Sequence, residues 1–290
     1  MLALRIHGYG GPEVMRLDHV PVPVAGEGER LVRVHAASVN PIDWKMRQGL
    51  MQVPLPRVLG RDGAGVDAAS GERIVGVGSP GRDGTHAEYA AFSANSCALI
   101  PEGMSFEEAT ALGIAAVSAW IPLVENAQVA SGQRVLIHAG AGGVGSFAIQ
   151  IAAYRGAEVW ATCSARNAQF CRTLGAHRTI DYTREDFAAS GPIFDVVLDT
   201  VGGEVHRRSA EVLKPHGVLT YLNAAPPQPV SRTDIRVMAT EVRATRERLD
   251  AVLRSELTVP IEARFPLARG AEAYELSRGG HARGKILLLP

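Results

Sequence analysis

The first hundred residues alternate short apolar runs with glycine and proline. The runs read LALRIHGYGG, VMRLDHVPVP and ERLVRVHAAS, and turn signals such as Gly10-Gly11-Pro12 separate them. ERIVGVGS and HAEYAAFSANSCALIP continue the same pattern. Many short strands without intervening helices predict a compact, barrel-like β domain.

The pattern changes near Ser105. This residue precedes Phe106-Glu107-Glu108, a capping-box start for a helix that continues through an alanine-rich stretch to Trp120. Beyond it, apolar strands alternate with helices, beginning with RVLIHA, SFAIQIAAYR and EVWATC and ending with GVLTYLN. Strands that are apolar throughout and separated by helices predict a parallel, doubly wound sheet.

The last part of the chain returns to strand-like pieces. IEARFPL and KILLLP flank a short helix at AEAYELSRG, and we expect this tail to rejoin the first domain. Residues 235–240 alternate apolar with polar positions after the last strand of the parallel sheet. They predict an edge strand, and an unpaired edge must be covered or paired.

Composition narrows the function classes. The chain has 290 residues, with 30 Lys+Arg, 30 Asp+Glu and a pI near 7.1. This balance gives no sign of nucleic-acid binding or of a polybasic membrane surface. No apolar run approaches the roughly 18 residues needed to span a bilayer, and the three cysteines form no CxxC pair. We therefore expect a cytoplasmic protein without membrane or nucleic-acid partners.

A glycine turn carries the first specific chemistry. A GxGxxG follows a predicted strand directly and opens a predicted helix; its residues are Gly140, Ala141, Gly142, Gly143, Val144 and Gly145. In this context one glycine makes the turn, one lets the backbone approach a pyrophosphate, and one lets the helix pack on the strand. The helix N-terminus then offers free N–H groups to phosphates. Glycines that serve packing alone are the alternative, but strand, spacing and helix together predict a dinucleotide.

The end of the second strand of this sheet distinguishes the two nicotinamide dinucleotides. An enzyme that uses NAD usually has Asp or Glu there to bind the adenosine ribose. The sequence instead has Ser164, which can donate to a phosphate, and Arg166, which can bind one with its planar guanidinium. Arg166 as a solvated surface residue stays open as an alternative. The missing acid favours NADPH.

Five segments resemble the zinc-independent quinone oxidoreductase (zeta-crystallin-like) branch of the medium-chain dehydrogenase/reductase superfamily. They are GYGGPEVMRL, VNPIDWKMRQG, PRVLGRDGAGV, HAGAGGVGSFAIQIA and FPLARGAEAYELSRGGHARGKILL. The resemblance covers nearly the whole chain. It implies an α/β fold with a GroES-like β-rich barrel domain in residues 1–115, a Rossmann NADP-binding domain in 116–245, and a return segment in 246–290 that completes the first domain.

The resemblance also implies residue roles and a homodimer paired through the edge strand. Residues 141–144 would surround the pyrophosphate. Arg166 and Tyr182 match positions that hold the 2′-phosphate of the cofactor. Asn40 matches an asparagine near the nicotinamide ribose and carboxamide in the cofactor cleft, and Asn223 falls on the nicotinamide side.

Several positions depart from the family patterns. The zinc-dependent relatives have a Gly-His-Glu turn and clustered cysteines, whereas this chain has Gly60-Arg61-Asp62 and no cysteine cluster, so we expect no metal. Lys45 stands where several relatives have a tyrosine. Two roles stay open for Lys45: a proton donor, or a solvated residue at the edge of the cleft. The segment 66–86 is shorter than is usual in the family, which could widen the substrate entrance or remove part of it.

Without a metal, the cofactor must supply the chemistry. A quinone or an α,β-unsaturated carbonyl (enone or enal) suits direct hydride transfer, because its conjugated oxygen takes the charge. Asn40 and Lys45 are the candidate catalytic residues. Two alternatives stay open: a biosynthetic enoyl reductase or non-redox enzyme acting on a larger, polyketide-like intermediate, and a cofactor-binding protein without turnover.

Four other residues have side chains that could take part in catalysis, and we assign a catalytic role to none of them. We interpret Asp43 and Asp62 as caps of backbone N–H groups in their turns rather than as a catalytic pair. His138 lies inside a predicted strand and is interpreted as a hydrogen-bonded core residue. Nothing in the sequence near Cys163 indicates an activated thiolate.

Overall fold

The computed structural model of the chain describes residues 1–79, 81–222 and 228–290. It divides into two compact units: unit 1 comprises Met1–Ile114 and Ala244–Pro290, and unit 2 comprises Ala115–Arg243. The predicted borders lie at 115/116 and 245/246. The α/β class with a GroES-like and a Rossmann domain is confirmed.

The strands, in chain order, are β1 (Leu2–Ile6), β2 (Met15–His19), β3 (Glu29–Val39), β4 (Arg57–Val58), β5 (Asp62–Asp67), β6 (Arg73–Val77), β7 (Tyr89–Ser93), β8 (Cys97–Leu99), β9 (Arg134–Ile137), β10 (Glu158–Cys163), β11 (Arg178–Asp181), β12 (Phe194–Asp199), β13 (Leu213–Tyr221), β14 (Arg236–Ala239), β15 (Ile261–Pro266) and β16 (Lys285–Leu289). The α-helices are α1 (Pro41–Arg47), α2 (Phe106–Trp120), α3 (Gly143–Tyr154), α4 (Ala168–Thr173), α5 (Gly203–Ser209), α6 (Arg246–Leu253) and α7 (Gly270–Arg278).

Unit 1 is built on the long strand β3. β3 pairs with β5, β7 and β16 in a seven-stranded sheet of order β15-β16-β3-β5-β6-β8, while β2, β1 and β4 form a smaller sheet. The antiparallel register of β16 on β3 sets Ile286 opposite Val39 and Leu288 opposite Ala37. The apolar tail therefore rejoins the first domain, as its pattern predicts.

Unit 2 holds a six-stranded sheet of order β11-β10-β9-β12-β13-β14 in which every pair is parallel. Val135, Leu136 and Ile137 of the central strand β9 are fully buried. Because successive side chains of a strand point to opposite faces, both faces of the sheet are covered at β9, and this strand has no alternation of polar residues. At one end, β14 pairs with β13 and with no other strand among the described residues, so it forms the predicted edge strand.

Helix α2 begins with the predicted capping box. The Ser105 N–H and hydroxyl donate to the Glu108 carboxylate at 2.8 and 2.7 Å, and the Glu108 N–H donates back to Ser105 Oγ at 3.1 Å. The helix is interrupted at Gly113, whose φ of −9° and ψ of −115° are not helical. Past Trp120 it continues as a π-helix over Ile121–Asn126, an extension that the sequence pattern does not predict.

The length of this helix corrects one expectation. Phe106–Asn126 spans 21 residues and, by length and composition, reaches what is needed to cross a membrane. The expectation that no apolar run approaches this length is therefore wrong. Most of the segment, 72% of its most apolar window, is buried within the protein, as in a core helix.

Candidate functional site

The glycine turn lies in unit 2 between β9 and α3, as predicted. The Gly140 N–H donates to the Thr162 carbonyl at 2.9 Å, which joins the turn to the neighbouring strand β10. A Cβ on Gly140 would lie 2.8 Å from the Ala161 methyl carbon, and one on Gly145 would collide with the Ala139 carbonyl oxygen. Two of the glycines are thus required by packing of the turn against its own fold.

Gly142 has a different environment. It is the N-cap of α3, with φ −76° and ψ 178°, and a Cβ there would meet only the Ala139 carbonyl oxygen at 3.4 Å. The fold does not demand glycine at this position, so the missing side chain leaves room above the turn. The first N–H groups of a 12-residue helix open onto the same place and have no acceptors inside the helix. This arrangement fits a pyrophosphate.

The carboxyl ends of β10 and β11 meet beside the turn. Ser164 is half-buried and Arg166 is exposed in a short 3-10 turn after β10. Tyr182 follows β11; its N–H donates to the Cys163 carbonyl at 3.4 Å, and its side chain is 54% exposed. The fold therefore brings Ser164 and Tyr182 to adjacent strand ends.

An acid lies near this corner on the next strand, which the sequence reasoning missed. The Asp181 carboxylate accepts hydrogen bonds from the Thr183 N–H at 3.1 Å and the Thr183 hydroxyl at 2.8 Å, and also from the Ala165 N–H. These hydrogen bonds hold the pKa of Asp181 below its usual range. Because it binds the backbone of both turns, Asp181 secures the 3-10 turn that carries Arg166.

Three further residues of unit 2 were singled out in the sequence: Asn223, His138 and Cys163. Asn223 lies outside the described residues. His138 is buried and hydrogen-bonds Thr162 and Ser209, and burial lowers its pKa to about 4, which confirms a core role. Cys163 is buried too, and a hydrogen bond from Cys171 lowers its pKa. The sequence did not predict this contact between the two cysteines.

In unit 1, Asn40 is the N-cap of α1 and is buried. Its backbone N–H donates to Asp43 Oδ2 at 2.7 Å, and the Gly60 N–H donates to Asp43 Oδ1 at 3.2 Å. Asp43 thus caps backbone groups, as predicted. Burial raises the pKa of its carboxyl group.

Asp62 is also a cap, but of a distant element. It is the first residue of β5 rather than part of a turn, and it is fully buried. Its Oδ2 accepts the Ile114 N–H at 3.1 Å, in the break of α2, where a Cβ on Gly113 would lie 2.7 Å from that oxygen. At the interruption of α2, a backbone N–H of the helix therefore donates to Asp62.

A lysine that sequence reasoning missed completes this cluster. Lys285 opens β16, is 3% exposed, and donates from Nζ to Asn40 Oδ1 at 2.6 Å. The Asn40 amide group in turn donates to Ser38 Oγ at 2.9 Å and to Asp62 Oδ1 at 2.8 Å. The only available signal was a lysine at the start of the buried apolar run KILLL.

Lys45 lies on the same helix as Asn40. It is half-buried, its Nζ lies 5.7 Å from the centroid of the Trp44 ring, and its carbonyl accepts the Leu50 N–H at 3.0 Å. Burial lowers the pKa of its ammonium group. The partial desolvation that a proton donor requires is present.

At the start of segment 66–86, β5 and β6 are joined by a tight hairpin. Asp67 Oδ1 accepts the N–H groups of Ala69 and Ser70, and Arg30 binds Asp67 Oδ2 at 2.7 Å and also Glu72. These contacts lower the pKa of Asp67 to about 2. Arg30 therefore holds the hairpin closed from the neighbouring strand.

Two family models match the chain. One, described as a zinc-binding dehydrogenase, matches residues 174–288, and the other, an alcohol dehydrogenase GroES-like domain, matches residues 26–102. Within the described residues, no group of three or more His, Cys, Asp or Glu side chains could hold a metal ion. The turn Gly60-Arg61-Asp62 stands where the zinc-dependent relatives have Gly-His-Glu. At this turn, Gly60 packs against His86 and Thr85.

Curated relatives and solved structures agree with these models. The chain is 33% identical to a 2-methylene-furan-3-one reductase of Solanum lycopersicum, over 97% of this chain and 77% of the relative. It is 32% identical to an NADPH-dependent alkenal/one oxidoreductase of Arabidopsis thaliana, over 97% and 78%. The quinone oxidoreductase of Coxiella burnetii superposes with a TM-score of 0.90 at 33% identity, covering 100% and 99%. The Escherichia coli quinone oxidoreductase in complex with NADPH gives 0.91 at 25% identity, covering both chains fully. The chain belongs to the medium-chain dehydrogenase/reductase superfamily, in its zeta-crystallin-like quinone oxidoreductase branch.

Proposed function

We propose that this protein is an NADPH-dependent, zinc-independent oxidoreductase that reduces a quinone or an α,β-unsaturated carbonyl by direct hydride transfer. The observation that carries the proposal is the glycine turn, where Gly142 leaves an open cradle at the N-terminus of α3. The names of the relatives agree on NADPH and on quinones or alkenals and alkenones.

The residues that would hold NADPH divide by unit. In unit 2, the backbone of residues 141–144 would bind the pyrophosphate, and Ser164, Arg166 and Tyr182 would surround the 2′-phosphate. In unit 1, we assign Asn40 to the nicotinamide half. When bound, NADPH supplies the hydride that reduces the substrate.

Lys45 is our candidate donor to the substrate oxygen. Hydride addition to the β-carbon of an enone leaves an enolate, which a proton must neutralise to complete the reduction. A half-buried ammonium can steady that oxygen and deliver the proton, because its lowered pKa brings it closer to the working pH. A quinone delocalises the charge over its ring and depends less on such a donor.

The proposed function is tested by NADPH oxidation with a panel of quinones, enals and acyl-thioesters, after prolonged dialysis against a strong chelator. We expect quinones and enals to be reduced without added metal. Reduction of acyl-thioesters alone would favour an enoyl reductase. Tight NADPH binding without oxidation of any substrate, or a strict requirement for stoichiometric zinc, would contradict the proposal.

Arg166 should determine the choice of cofactor. With no acid at the end of β10, NADPH should bind at least about tenfold more tightly than NADH, or roughly 1.4 kcal/mol. The Arg166→Ala variant should lose most of this difference, measured as the ratio of the two Kd values by titration. Arg172→Ala is the matched control, because it removes an exposed arginine that donates to Thr179 instead. Equal affinities in the wild type would refute the assignment.

Lys45→Met separates a proton donor from a passive lining residue. For an enone, kcat and kcat/KM should fall together by roughly a hundredfold, the effect of losing one general acid. Quinone reduction should be kept. Wild-type enone reduction should also decline as the pH rises through the lowered pKa of Lys45, and the variant should lack this decline.

The control for this variant is Lys214→Met, which removes a surface lysine paired with Asp195 in unit 2. It should change neither reaction. If Lys45→Met lowers kcat and kcat/KM only slightly, and equally for enones and quinones, Lys45 is a lining residue and not a proton donor.

We also propose a homodimer paired through β14. This strand ends the parallel sheet, and Val237 on it is 42% exposed. Light scattering at micromolar concentration should give a dimer mass for the wild type and a monomer mass for Val237→Lys, since charge on an edge strand opposes pairing. Val24→Lys, at an exposed valine of unit 1, is the control. A monomeric wild type would exclude this assembly.

A further inference from the structure

The end of β11 carries an acid close to the residues that would hold the 2′-phosphate. The parallel register sets Asp181 beside Cys163, the last residue of β10, and the turn with Ser164 and Arg166 follows directly. A carboxylate near a phosphate repels it, because charges of the same sign destabilise each other. By charge alone, Asp181 should therefore oppose the binding of NADPH. Its contacts indicate a different effect.

The carboxylate of Asp181 is engaged by the protein. Its Oδ1 accepts the Thr183 N–H at 3.1 Å and the Thr183 hydroxyl at 2.8 Å, and the carboxylate also accepts the Ala165 N–H. The side chain is 12% exposed, and Nε of Arg184 lies 3.9 Å from Oδ2. The hydrogen bonds from Thr183 and the charge of Arg184 lower the pKa of Asp181, so it is ionised at neutral pH.

The turn that Asp181 contacts is not capped by its own first residue. Ser164 is the N-cap of the 3-10 turn Ala165–Asn167, yet its side chain makes no capping hydrogen bond. The first N–H groups of a helical turn have no acceptor inside that turn, and an N-cap serine usually supplies one. Asp181 supplies an acceptor to the first of these groups from the neighbouring strand. The Ser164 hydroxyl is therefore not used for capping.

These contacts hold the backbone on both sides of Arg166. Before it, the Ala165 N–H donates to Asp181, and after it, the Asn167 N–H donates to the Ser164 carbonyl at 2.8 Å. A guanidinium binds a phosphate through a planar fork of N–H groups, so the position of its backbone decides whether two of them reach the phosphate together. The turn held by Asp181 is thus the support of the Arg166 side chain.

We propose that Asp181 is a positioning residue for the 2′-phosphate of the cofactor, because it holds the turn after β10 with Arg166 and the Ser164 hydroxyl towards that phosphate. This inference rests on the proposed function, since it takes NADPH as the ligand. All the residues involved belong to unit 2. The inference reverses the expectation from charge: removal of this carboxylate should weaken the binding of a phosphate.

Two nucleotides that differ by the 2′-phosphate test the inference by binding alone. The Kd values of adenosine 2′,5′-bisphosphate and adenosine 5′-monophosphate are measured for the wild type, Asp181→Ala, Arg166→Ala and the double variant. Asp181→Ala should weaken the bisphosphate about tenfold, equivalent to about 1.4 kcal/mol, and leave the monophosphate unchanged. In the Arg166→Ala background, the further loss should be less than about threefold, because residues that act through one another are non-additive.

Asp181→Asn separates positioning from charge. It keeps an acceptor oxygen and removes the negative charge, so the bisphosphate should bind to it more tightly than to Asp181→Ala and less tightly than to the wild type. If repulsion dominated, both variants would bind the bisphosphate more tightly than the wild type. Asp181→Asn also serves if Asp181→Ala does not fold.

Asp186→Ala is the matched control. It removes another acid of unit 2, which accepts the Ala188 N–H at 3.0 Å and pairs with Arg208. This variant should lower the urea midpoint while keeping the ratio of the two Kd values, because its contacts lie outside the turn after β10.

The outcomes distinguish the inference from the function on which it rests. A wild type that binds the two nucleotides equally would contradict the use of NADPH in the proposed function. If the wild type prefers the bisphosphate, three results would overturn the role of Asp181: unchanged or tighter binding of the bisphosphate by Asp181→Ala, equal weakening of both nucleotides, or additive effects in the double variant.

Discussion

The carboxylate of Asp62 joins three separate parts of unit 1. It accepts hydrogen bonds from the Ser38 hydroxyl on β3, from the Asn40 amide at the start of α1, and from the Ile114 N–H at the break in α2. A buried carboxylate is tolerated only when its oxygens are satisfied, so each of these donors is required. Strand, helix start and helix break are thereby fixed relative to one another around one side chain.

The glycines of the turn in unit 2 have different environments. Neighbouring atoms of the protein leave no room for a side chain on Gly140 or Gly145, whereas a Cβ on Gly142 would make a single ordinary contact, with the Ala139 carbonyl oxygen. The motif therefore contains two kinds of glycine, which the sequence pattern does not distinguish. Two hold the strand and helix together, and one leaves room for a ligand. The open position is the more informative about function.

The fold was predictable where the signal is local. The strand–glycine–helix spacing, the capping box at Ser105 and the continuous apolar strands all act over a few residues, and the structure has each of them. The network around Asn40 was not predictable, because Lys285 reaches it from the other end of the chain. Asp62 was recognised as a cap, but its partner Ile114 is 52 positions away. Long-range pairing of polar groups leaves no periodic signal in the sequence.

The closed hairpin between β5 and β6 has a consequence for solution studies. The folded-state pKa of Asp67, about 2, lies below its ordinary value of 3.8, so its stabilising contribution is complete above pH 3.8 and is lost only as the pH falls through 2. Its partner Arg30 stays charged throughout the range in which enzymes are assayed. Between mild acid and mild alkali, the charges of Asp67 and Arg30 in this hairpin therefore do not change. If the reaction rate varies with pH in this range, the change comes from the titration of groups other than Asp67 and Arg30. The loss of this ion pair does not contribute to it.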